Sequence, residues 1–127
     1  MTIEKLRALC VSLPGATEQI QWGDDLVFKV GGKMFCVTTT EPSAVMLSFK
    51  CDDEVFAELV EREGVIPAPY LARAKWVALE RYDVIADREL VPLITRAYEI
   101  IRDKLPKKTI ATLTPPPMTR QKRAGRR

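Results

Sequence analysis

The stretch Leu26-Val27-Phe28-Lys29-Val30-Gly31-Gly32-Lys33-Met34-Phe35-Cys36-Val37-Thr38-Thr39 decides the fold. Two runs rich in β-branched and aromatic residues flank a glycine pair. A two-residue hairpin loop needs positive φ, which glycine adopts without steric cost. That loop sets a register in which Val30 faces Lys33, Phe28 faces Phe35 and Leu26 faces Val37. Alternation then puts these pairs on one side of a sheet and Val27, Lys29, Met34 and Cys36 on the other.

Upstream of the hairpin, Ile3, Leu6, Leu9, Cys10 and Leu13 form one apolar helical stripe. Thr2 suits the N-cap, and Pro14-Gly15 stops the helix. Downstream, Glu41-Pro42-Ser43 reads as a turn. Residues 44–49 read as a third strand, with Val45, Leu47 and Phe49 on one side and Met46 and Ser48 on the other. Cys51-Asp52-Asp53-Glu54 opens a second helix with carboxylates near its positive end. Its buried stripe is Val55, Phe56, Leu59 and Val60, and Gly64 is its expected C′ residue. Pro67 and Pro69 make residues 65–71 an extended loop, and residues 75–79 a further strand. A last helix runs from near Asp87, or from near Val91 if Pro92 occupies its first turn, to Leu105. The class is α+β: a two-layer arrangement with a largely antiparallel sheet and three helices, in the order α-β-β-β-α-β(β)-α.

The chain has 127 residues, 46% of them hydrophobic, enough for one packed domain. No apolar run reaches the roughly 18 residues that span a bilayer. The N-terminus has no secretory pattern, so a cytoplasmic protein without a membrane partner is expected. There is no histidine. This removes imidazole-based triads, HExxH metal sites and histidine switches. Cys10, Cys36 and Cys51 are too few and too scattered for a thiolate zinc site, and they read as reduced and at least partly buried. No cofactor and no metal site are expected. Asp24 and Asp25 are adjacent in an extended segment, so they point apart rather than toward one ion.

The formal charge of +3 hides a division. Arg120, Lys122, Arg123, Arg126 and Arg127 follow Pro115-Pro116-Pro117 with no acid among them, whereas residues 1–113 hold fifteen basic and seventeen acidic residues. Residues 1–113 therefore read as the folded domain and 114–127 as a disordered, proline-rich basic arm.

Several stretches carry a family resemblance: Leu13-Pro14-Gly15, residues 24–35, Leu47-Ser48-Phe49-Lys50-Cys51 before a helix, residues 67–77, and residues 97–108. Together they resemble the MmcQ/YjbR family across about residues 2–113, without the arm. The resemblance implies a two-layer fold similar to frataxin-type (CyaY-like) and secretion-chaperone folds. It also implies DNA binding through a double-wing motif, and it brings no catalytic residues and no cofactor.

From the residues themselves, the segment Tyr70-Leu71-Ala72-Arg73-Ala74-Lys75-Trp76 places two aromatics around two cations. That set can hold phosphates and stack on bases, or it can be two core aromatics with two solvated charges. The glycine hairpin, flanked by Lys29 and Lys33, can serve as a wing in a groove, or its lysines can simply protect exposed strands. The basic arm adds Arg120, Lys122, Arg123, Arg126 and Arg127, enough for about five phosphates and a log–log salt slope of roughly −4 to −5. The reading is a non-enzymatic DNA-binding protein of weak sequence specificity. The alternative is a protein- or ligand-binding adaptor, or a homodimer, using an open sheet face built from Val27, Met34, Cys36, Met46 and Trp76, unless residues 18–23 with Trp22 cover it.

Overall fold

The computed structural model describes residues 1–113, and the expected basic arm lies outside the described residues. Six strands form one open antiparallel sheet: β1 (Ala16–Gln21), β2 (Asp25–Val30), β3 (Lys33–Thr39), β4 (Leu47–Lys50), β5 (Val65–Pro67) and β6 (Trp76–Leu79). They lie side by side in the order β1-β2-β3-β4-β6-β5. Four helices accompany them: α1 (Ile3–Val11), α2 (Asp53–Leu59), α3 (Asp87–Asp103) and α4 (Lys107–Ala111), with a short 3-10 turn at Ala72–Ala74. The α+β class and the broad element order are as expected.

The Thr2 hydroxyl caps α1, accepting from the Lys5 N–H at 3.2 Å. The main core lies between the helices and one face of the sheet. Leu6, Cys10, Leu90, Ile94 and Tyr98 from α1 and α3 meet Leu26, Phe28, Phe35, Phe49, Val77 and Leu79 from the strands. The rings of Phe35 and Tyr98 meet edge to face, 5.5 Å apart. The Tyr98 hydroxyl donates to the Pro14 carbonyl, which ties α3 to the turn after α1. Pro92 lies within α3, which starts at Asp87 and not at Val91. The proline is on the exposed side, where water can satisfy the carbonyl its missing N–H leaves unbonded.

The hairpin register departs from the expected one. Gly31 and Gly32 have φ of +58° and +81° and close the loop as anticipated, with Val30 opposite Lys33. Between Phe28 and Lys29 the ladder then shifts: Lys29 pairs with Met34, and Phe28 pairs with Cys36 rather than with Phe35. Leu26 accordingly pairs with Thr38, and Val37 pairs with Val27. Phe35 is the extra residue of a bulge, which turns both it and Cys36 toward the helices. Cys36 therefore belongs to the main core, beside Cys10, and not to the opposite face; burial raises its thiol pKa. All three cysteines are buried and unlinked.

Other differences are local. Residues 18–23, expected as a loop over the sheet, instead give their first four residues to the edge strand β1 (Ala16–Gln21). Residues 65–67 form the other edge strand, where Pro67 needs no ladder donor on its outer side. Residues 44–46 stay outside β4, so strict alternation fails there and Val45 packs with Trp76 instead of with Leu47 and Phe49. The first helix stops at Val11, two residues early. The second stops at Leu59, so Gly64 (φ +86°) closes a later turn and is not its C′ residue. A fourth helix follows Pro106. Among the described residues, no helix is long and apolar enough to cross a membrane.

Candidate nucleic-acid interface

Three segments distant in sequence meet at one end of the sheet. The first is the glycine hairpin. Leu105, just past α3, packs so closely on Gly31 that a Cβ there would lie 2.5 Å from its side chain. This contact brings the Lys104 and Lys107-Lys108 region to the hairpin that carries Lys33. The third segment is the 3-10 turn. Lys50 pairs with Trp76 in the ladder, its ammonium donates to the Ala74 carbonyl, and the Cys51 N–H donates to the Lys75 carbonyl at 2.9 Å. Arg73 and Lys75 are therefore held beside Lys50. Burial, and then the nearby charge of Lys104, lower the Lys50 pKa.

The cations at this end are Lys29, Lys33, Lys50, Arg73, Lys75, Lys104, Lys107 and Lys108. None makes an ion pair among the described residues. Lys29 donates to the Gln19 side-chain carbonyl at 3.3 Å, and the Lys75 ammonium sits 5.1 Å from the centre of the Phe56 ring. Two of the nearest acids are already neutralised. Arg96 binds both oxygens of Asp52 at 2.9 and 3.0 Å and holds that carboxyl below its ordinary pKa. Arg102 takes Asp103 at 2.9 Å. Asp53 and Glu54 share a cleft with Lys50 and Lys104, so the sign is mixed there. The hairpin tip, the 3-10 turn and α4 carry the surplus positive charge.

The expected site residues separate accordingly. Lys33 and Arg73 are exposed, Lys29 and Lys75 half-exposed, and Tyr70 is fully exposed. Trp76 is only 3% exposed and cannot stack on a ligand. Alternation put it on the correct face but could not show that Val45, Leu71 and Ala68 would cover it. The arm residues Arg120, Lys122, Arg123, Arg126 and Arg127 lie outside the described residues. Sequence reasoning missed Lys50, Lys104, Lys107 and Lys108. The adjacent lysines after Pro106 were a visible charge pair, but their relation to the hairpin depends on the Leu105–Gly31 contact.

The face of the sheet away from the helices is neither fully open nor closed. Residues 68–71 and Val45 lie over Trp76 and Ala78. Beside them a groove of about 550 Å³ remains, floored by Met34, Val37 and Ser48. Residues 18–21 are strand and do not cover it; only Trp22, in the β1–β2 turn, borders it. Trp22 is 67% exposed and stands at one end, with Tyr70 on the rim toward the other. Both have left-handed backbones, at φ +52° and +67°, and Lys75 is the third such non-glycine residue among those described, at +62°. That conformation costs an ordinary side chain about 1–2 kcal/mol. Asp25 also lines the groove; burial, and then the charge of Asp24, raise its pKa.

A six-stranded open antiparallel sheet, helices on one face and a grooved, cation-edged surface beside the other define a small α+β domain. Residues 11–100 match the model of the YjbR family, and the chain belongs to that family. No curated protein matches the chain.

Proposed function

We propose that this protein is a non-enzymatic DNA-binding module of weak sequence specificity. The glycine hairpin, the Arg73–Lys75 turn and α4 would contact the phosphates, and the cations of 120–127 would extend the contact. The observation that carries this reading is the absence of ion pairs, among the described residues, at the cations gathered on one end of the sheet. A lysine without a carboxylate partner can neutralise a phosphate and release counterions without first breaking a bond. The net acidity of residues 1–113 counts for less than their arrangement, because several acids are held by arginines on the helical layer. Phosphate contacts fix position and carry no sequence information, which fits weak specificity.

The test is a salt series of mobility shifts with the full chain and with a variant in which Arg120, Lys122, Arg123, Arg126 and Arg127 are all replaced by Gln. If at least three cations of the folded part engage, the variant keeps a log–log slope of about −3 or steeper. A variant that no longer shifts DNA at low salt leaves the folded part without a role. A full chain that fails to shift it removes the proposal.

A further inference from the structure

We propose that the groove between Trp22 and Tyr70 receives the unpaired bases of single-stranded DNA, whose phosphates lie on the adjoining basic end. This rests on the DNA-binding reading above and adds the form of the nucleic acid to it.

Continuity and charge support that occupant. Met34 floors the groove and is the ladder partner of Lys29, directly after Lys33. Tyr70 lies three residues before Arg73 on the same connection. A strand whose phosphates follow these cations therefore has its bases within reach of the groove. Both exposed aromatics flank an apolar floor, the arrangement on which successive bases stack. The two rings are also presented by strained backbone, which a purely solvent-facing role does not require. The groove is too small for duplex DNA to enter, and base edges inside a duplex offer no ring face for stacking.

Asp25 fixes which part of the strand enters. Its carboxylate repels phosphate and accepts hydrogen bonds, and an exocyclic base amine is a matching donor. Cytosine, adenine and guanine carry that amine; unpaired thymine offers only its ring N3–H, one donor where an amine offers two. The groove therefore favours amine-bearing bases over thymine, a modest preference superimposed on binding driven by stacking and phosphate contacts.

The experiment titrates the full chain at low salt into fluorescein-labelled oligo(dC) and oligo(dT) dodecamers and a duplex of equal length, reading affinity from anisotropy in every variant and, where Trp22 is present, base stacking from tryptophan fluorescence. Trp76 is buried and Trp22 exposed, so quenching by a stacked base reports chiefly on Trp22. The substitutions are Trp22→Gly, Tyr70→Gly and Asp25→Asn. Glycine accepts the left-handed backbone at the first two positions, so the fold is kept. The expected result is quenching by oligo(dC), with Trp22→Gly and Tyr70→Gly each weakening the single strand about 5- to 100-fold and leaving the duplex unchanged. Asp25→Asn is expected to reduce the preference for oligo(dC) over oligo(dT). Single-strand affinity unchanged in both glycine variants overturns this inference while DNA binding stands. So does a concentration-dependent dimer that both variants abolish, which would give the groove to a second copy of the chain. Failure of the full chain to bind any of the three DNAs removes the DNA-binding reading itself.

Discussion

The helical layer and the hairpin end of the sheet hold their cations in opposite ways. On the helical layer the cations are mostly arginines engaged with carboxylates: Arg7 with Glu18, Arg62 with Glu89, Arg96 with Asp52. Two of these are bidentate and join elements distant in sequence. At the hairpin end the cations are nearly all lysines, and none is paired among the described residues. A planar guanidinium suits a fixed fork on a carboxylate, whereas an ammonium on a flexible stem suits a mobile, hydrated partner. On the proposed reading, a domain of nearly balanced charge still offers a polyanion surface, because pairing rather than total charge decides which cations are available.

The comparison depends on the hairpin staying docked on the helical layer, and the substitution expected to have the largest effect attacks that joint. Gly31→Ala would put a methyl group 2.5 Å from Leu105 in a backbone with φ +58°. Overpacking and the left-handed backbone together are expected to cost about 2–4 kcal/mol. Urea unfolding would show it, and a loss below about 1 kcal/mol would mean that the joint is loose. DNA affinity should fall with it where the fold survives, because Lys33 and Lys107 would no longer share a surface.

A second substitution set sharpens the contrast itself. Lys33→Gln and Arg73→Gln are each expected to weaken DNA binding about fivefold at physiological salt and to make the salt slope shallower by roughly one. Neither should change stability by more than about 0.5 kcal/mol. Arg96→Gln should behave in the reverse way, lowering the midpoint of urea unfolding slightly, since the pair is half exposed, with little change in affinity. Equal effects of all three on binding would dissolve the distinction between paired arginines and unpaired lysines.

Much of this architecture was legible because its signals are local. Gly31-Gly32 dictates the hairpin, the 3.6-residue stripes dictate α1 and α3, and Thr2 dictates a cap. The two edge strands were hidden for a physical reason. β1, Ala16-Thr17-Glu18-Gln19-Ile20-Gln21, has no buried residue and so shows no apolar alternation. β5 is only three residues long and ends in proline. The bulge at Phe35 leaves no trace in the sequence, yet it reverses the face of Cys36 and of every later residue in the strand. The site was legible in part for the same reason. Lys29, Lys33, Tyr70 and Arg73 stand at a turn and a proline-stiffened loop whose exposure local rules anticipate. Trp22 and Asp25 line the groove only because the β1–β2 turn comes beside residues 68–71, a contact made by the sheet as a whole.

The smallest expected effect separates a groove kept for binding from one kept for packing. In the folded state Asp25 titrates above its ordinary value because burial, and then Asp24, penalise its charged form. Between the unfolded and folded pKa values the native state holds a proton that the unfolded chain has lost, so stability declines across that interval as pH rises. Above the folded pKa the whole cost of the buried charge is present; below the unfolded pKa it is absent. Asp25→Asn removes the charge while keeping the shape, so it should raise the melting temperature slightly at neutral pH. The gain should disappear below the ordinary carboxylate range. Thermal melts of both proteins at neutral and acidic pH check this. A loss of stability at neutral pH would mean that the carboxylate holds the β1–β2 turn together. A gain confined to neutral pH would mean that the fold carries an unfavourable charge beside two strained aromatics, a combination that packing alone does not explain.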